Sequence, residues 1–144
     1  MKKHYIYIIF IILTILAISS ISYLYINYLN NNRQINENNK EYVDLYNKEI
    51  SGNSLSTIIN KTLDKNYKND IIKDENGYYL NNGTNSIIIE IKFTESDKIF
   101  KIEQISKNGI EKFISLYSNI KFKCTNIEYH TKTNFVSYLY FEQI

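Results

Sequence analysis

Hydrophobic residues crowd the first thirty positions of the chain and then thin into short, patterned segments. From Tyr5 to Leu29 the sequence reads YIYIIFIILTILAISSISYLYINYL, with no charged side chain between His4 and Arg33. As a helix rising ~1.5 Å per residue, this stretch is about 37 Å long, enough to cross a hydrocarbon core of about 30 Å. Tyr5 and Tyr7 mark one end, and Tyr23, Tyr25 and Tyr28 the other. Amphipathic rings at both ends suit two membrane–water interfaces. The pattern predicts a tail over 1–4, a transmembrane helix over Tyr5–Leu29, a connector over 30–48 and a folded domain over 49–144. A removed signal peptide is the rival reading, with Ala17-Ile18-Ser19 as its small-residue cleavage site. The apolar run continues through Ile26, which is long for a removed segment.

Asn30–Asn39 reads as a polar juxtamembrane connector or a frayed continuation of the apolar helix, and beyond it Tyr42, Val43, Leu45 and Tyr46 suit a short helix laid on the domain before Gly52 breaks the chain. Leu55, Ile58, Ile59 and Leu63 recur at helical spacing, so a helix capped by Asn53 or Ser54 is expected to run to about Asn66. Tyr78–Leu80 is a short strand candidate between two turns. Ser86–Thr94 alternates Ile87, Ile89, Ile91 and Phe93 with more polar neighbours, the pattern of a half-buried strand. Lys98–Ile102 is its expected partner across the Glu95-Ser96-Asp97 turn. Asn108-Gly109-Ile110-Glu111 has the form of a capping box opening a helix with Ile110, Phe113, Ile114 and Tyr117 on one face. Ile120 to Cys124 alternates, parity shifts near Thr125-Asn126 as at a bulge, and Ile127 and Tyr129 resume. A loop at His130–Asn134 and a strand at Phe135–Glu142 complete a terminal hairpin. The expected fold is α+β: an N-terminal transmembrane helix, then an antiparallel sheet of about four strands with two to three helices on one face.

Composition changes this picture little. The bias towards Ile, Asn, Lys and Tyr follows AT-rich codons. Charge is more informative. Seventeen Lys and Arg face fifteen Asp and Glu, and the difference equals Lys2 and Lys3 at the extreme N-terminus. The rest of the chain is neutral, without the basic footprint of a nucleic-acid binder or a polybasic lipid-surface cluster. Lys2, Lys3 and the terminal amine, set against Arg33 and the more distant Lys40, give a slight bias that predicts the short tail on the cytoplasmic side of the cell membrane and the domain outside.

The segments ISGNSLSTIINKTLDKN (Ile50–Asn66), IKFKCTNIEYHTKT (Ile120–Thr133) and YLYFEQI (Tyr138–Ile144) resemble those of a group of small single-pass membrane proteins from clostridia and related low-GC Gram-positive bacteria. The likeness covers most of the chain after the apolar run. It implies a bacterial, extracytoplasmic setting. No activity is assigned to that group, so it implies no catalytic residue.

Candidate chemistry is sparse. Cys124 is the single cysteine, which excludes an internal disulfide. Cys124 and His130 are six residues apart, roughly 20 Å if extended, beyond the reach of a thiol–imidazole pair. Cys124 is expected in the core beside Ile120 and Phe122. His4 and His130 cannot converge on a metal across a membrane, and Glu128 with His130 would be a weak two-ligand site. The acidic stretches Asp70–Glu75 and Glu95–Asp97 lack calcium-loop spacing. No metal and no cofactor are expected, and the chain is read as a non-enzyme.

The residual signal is aromatic. Tyr129, Tyr138 and Tyr140 lie on the terminal hairpin, with Tyr138 and Tyr140 opposite Leu139 and Phe141, and exposed aromatic faces favour binding. The expected function is a membrane-anchored extracytoplasmic interaction domain, engaging another envelope protein or itself. The alternatives are a pilin-like or secretion-assembly subunit and a small extracytoplasmic hydrolase. The missing Gly and Glu of a processed pilin count against the first. A pocket of convergent polar groups would favour the second.

Overall fold

A computed structural model describes residues 2–95 and 98–144. The fold is α+β, with a long apolar helix at its N-terminus and one mixed five-stranded sheet. Contacts divide the chain at Glu37/Asn38 into two units.

The first unit is helical. Helix α1 runs from Lys2 to Val43, so it passes without a break through the expected connector. From Tyr5 to Leu29 its large apolar side chains are each between 47% and 67% exposed. Apolar side chains exposed around the whole circumference are disfavoured in water and stable in hydrocarbon. The few hydroxyls in the stretch are satisfied locally. Thr14 donates to the Ile11 carbonyl at 2.8 Å, and Ser19 and Ser20 both donate to Leu16. Such back-bonding removes the cost of placing a hydroxyl away from water. By length and composition, this is the one helix among the described residues able to cross a membrane.

The second unit begins with the last turns of α1. Strand β1 (Glu49–Ser51) leads directly into α2 (Gly52–Lys68), then come β2 (Ile88–Lys92), β3 (Ile99–Lys101), α3 (Ile102–Lys107), α4 (Ile110–Tyr117), β4 (Lys121–Tyr129) and β5 (Val136–Gln143). Sheet order is β1-β4-β5-β2-β3. All neighbours are antiparallel except β2 and β5, which pair in parallel from Ile88↔Tyr138 to Lys92↔Glu142. The sheet has five strands where about four are expected, and one expectation is corrected: the sheet is mixed rather than antiparallel. Turn residues reveal hairpins between consecutive strands. A parallel pair closed across two helices and two other strands leaves no local signature.

Side-chain alternation builds the core. Ile89, Ile91, Leu139, Phe141, Phe122 and Cys124 join Leu55, Ile58 and Ile59 of α2, Ile102 and Ile105 of α3, and Phe113 of α4 in one buried cluster. Phe93 lies among Phe100, Phe113, Tyr117 and Phe122, with ring centroids 4.8–6.4 Å apart, mostly edge to face. That geometry suits the ring quadrupoles.

Several local expectations shift. The N-cap of α2 is Ser51, whose hydroxyl accepts from the Ser54 N–H. Gly52 is the first residue of that helix and not a chain break. A Cβ there would lie 1.9 Å from the Tyr117 carbonyl oxygen, so only glycine allows α2 to meet the end of α4 this closely. Helix α3 has no sequence forecast, whereas the expected capping box before α4 is replaced by Gly109 at φ 95° with no side-chain cap. Tyr78–Leu80 forms a single bridge, Lys73↔Tyr79, rather than a strand. The residues of the proposed short helix after Lys40 end α1, turn, and form a parallel bridge from Tyr46 to Cys124. The bulge is where parity places it, between Cys124 and Asn126. Ser96 and Asp97, in the expected turn between β2 and β3, lie outside the described residues.

Candidate functional site

The pleat that buries Leu139 and Phe141 turns Tyr138 and Tyr140 to the opposite side of the sheet. Register assigns their neighbours. Glu128, Tyr138 and Ile88 form one cross-strand row, and Asn126, Tyr140, Glu90 and Lys101 the next. A third row holds Glu49, Lys123, Glu142, Lys92 and Ile99. All of these side chains are half-buried or exposed. This outer face is polar and aromatic.

Tyr138 is its best-held member. Its hydroxyl donates to Glu90 Oε2 at 2.8 Å. Burial pushes the phenol above its usual range. The Glu90 hydrogen bond and charge, and then the charges of Tyr140 and Glu128, act in the same direction. Tyr138 is therefore a fixed donor, with its ring standing on the face. Tyr140 occupies the adjacent row. Tyr129 is exposed but lies beyond a second register shift, opposite Val136, so the expected trio separates into a pair and an outlier. Parity alone could not show this, because the slip between Glu128 and Tyr129 changes the ladder after the last readable alternation.

The thiol and imidazole do not meet as a pair. Cys124 is fully buried, and its Sγ lies 3.4 Å from the Asn126 carbonyl. Burial pushes the thiol up to about 11. A thiol held protonated is a poor nucleophile. His130 is buried rather than displayed on its loop. Its Nε2 lies 2.8 Å from the Ser86 carbonyl, and since a carbonyl only accepts, Nε2 carries the proton. Its partner is thus a distant backbone group, a role that neighbouring sequence does not reveal. Among the described residues no group of three or more His, Cys, Asp or Glu side chains is arranged to hold a metal ion.

A concave feature lies on the α4 side. A cleft of about 290 Å³ is lined by Phe93, Phe100, Phe113, Tyr117 and Leu116, with Glu95, Asn108 and Lys112 among its polar members. Its wall is chiefly apolar. The groups whose protonation is displaced, Tyr42, Lys65, Cys124 and Tyr138, do not line it.

Comparison of the chain with protein-family models, with curated proteins and with solved structures returned no match.

Proposed function

We propose that this protein is a non-enzymatic interaction domain tethered to the cell membrane of a Gram-positive bacterium. Tyr5–Leu29 serves as the uncleaved anchor in the lipid bilayer, with the short tail inside and the domain outside. The sheet face carrying Tyr138 and Tyr140 engages another envelope protein or a second copy of the chain. One observation carries the reading: two neighbouring tyrosines stand half-exposed on a sheet whose other face packs into the core. Aromatic side chains supply large contact area at low entropic cost, and they are enriched in binding surfaces.

Crosslinking in living cells, combined with thermal melting of the purified protein, tests this. Replacing both Tyr138 and Tyr140 with Ser is expected to reduce crosslinked product severalfold while leaving a cooperative melt. Unchanged crosslinking would remove the tyrosine face from the proposal.

A pilin-like or assembly-subunit role draws support from α1 being unbroken to Val43. Recovery of the chain in sheared surface filaments would favour that role, and its retention in the membrane fraction would count against it.

A further inference from the structure

The outer row of charges has a symmetry of its own. Reading across β1, β4, β5 and β2, Glu49, Lys123, Glu142 and Lys92 alternate in sign. Adjacent opposite charges on a sheet commonly satisfy each other. Here none of the adjacent pairs does so, and Glu49 pairs instead with Lys121, outside the row, at 3.0 Å. Among the described residues Lys123, Glu142 and Lys92 form no ion pair. Three half-buried charges in alternating order are therefore available to a partner.

An alternating row with an even number of members, read backwards, is its own complement. A two-fold axis parallel to the strands, between β4 and β5, performs that reversal. It sets Lys123 against Glu142 of the second copy and Glu49 against Lys92. The same operation opposes Glu128 to Tyr138 and Asn126 to Tyr140, because each of those pairs already shares a row. We propose that this face pairs with the same face of a second copy of the chain about such an axis. The proposal rests on the interaction reading above and specifies its partner.

Size fits a weak, tethered contact. Four strands ~4.8 Å apart, and nine residues of β4 at ~3.3 Å, bound the face that overlaps about this axis at about 19 Å by 30 Å, or roughly 570 Å². A standard interface buries about 800 Å² per partner. Two copies confined to one bilayer meet at raised effective concentration, which compensates for a small contact.

The test is photocrosslinking from a benzoylphenylalanine at position 140, in cells producing the full chain with two distinguishable tags. The expected product carries both tags. Lys123→Glu and Glu142→Lys, each alone, are expected to lower its yield about tenfold, and the double reversal to restore it. Equal yield in the single variants, or no recovery in the double, would overturn the pairing. A salt arm needs no substitution that could impair folding. With the charged row unchanged and the chain in phosphatidylglycerol vesicles, raising salt from about 0.05 to 0.5 M should reduce the doubly tagged product. Insensitivity to salt would equally overturn it. A product joining the chain only to a different protein overturns self-pairing and leaves the interaction reading standing, whereas no product from position 140 overturns both.

Discussion

Asn66 sits fully buried in α2 with its carboxamide facing the backbone of Ile87. Its Nδ2 donates to the Ile87 carbonyl at 2.7 Å, and its Oδ1 accepts from the Ile87 N–H at 2.9 Å. The pair imitates a β-ladder and seats the chain entering β2. Asn39 does the same for the hairpin, donating to the Asn134 carbonyl and accepting from the Val136 N–H. In sequence these asparagines are indistinguishable from the chain's many others, because their partners lie 21 to 97 residues away. Asn66→Ala should cost about 2–4 kcal/mol in urea unfolding, since it orphans a buried donor and a buried acceptor together. Cys124 was legible, since alternation alone put it in the core. Its raised folded-state pKa stabilises the fold fully below the unfolded value of about 8.5, and that stability is lost as pH rises through about 11. Tyr42 and Tyr138, also raised by burial, add their own loss only above about pH 10. Melting temperature should therefore fall between pH 8.5 and 10 in the native chain, and much less in Cys124→Ala. At pH 8 the folded thiol should react with iodoacetamide about a hundredfold more slowly than the unfolded one, or slower still, because little of it is thiolate.

At the scale of elements, strict alternation and helical spacing were readable where one face alone is buried. Helix α2, strands β2, β4 and β5, and the bulge at Thr125 follow from parity. Elements that tertiary contacts impose were not readable. Helix α3 is six residues long, and the Gln104 side chain, accepting from the Lys101 N–H at 2.9 Å, closes its first turn. The end of α1 is the larger omission. Tyr42 is 2% exposed, its hydroxyl lies 3.3 Å from that of Thr62, and the Lys65 ammonium sits over its ring. The polar stretch of Asn, Arg and Gln admits a continuing helix, but it does not show that the same helix ends in a core residue. A domain boundary at 49 thus removes a core aromatic, the Asn39 clasp and the Tyr46 bridge. A fragment spanning 38–144 is expected to be more stable than one spanning 49–144 by about 3–5 kcal/mol, the usual cost of deleting a buried aromatic. Equal denaturation midpoints would show that the last turns of α1 are dispensable to the domain.

For the whole molecule, charge and apolar surface point the same way. The net positive charge equals that of Lys2 and Lys3, and the exposed apolar surface is concentrated between Tyr5 and Leu29. What remains is a neutral domain whose character lies in its outer sheet face. That face was half legible: parity set Tyr138 and Tyr140 together, but only the parallel pairing of β2 with β5 brings Glu90 and Lys92 beside them. Every role proposed for the domain depends on the chain being held in a membrane by an intact first helix. Carbonate extraction of membranes from cells producing a C-terminally tagged chain tests this directly. Full-length protein should remain in the washed membrane pellet. A shortened, tagged product released into the soluble fraction would contradict the account.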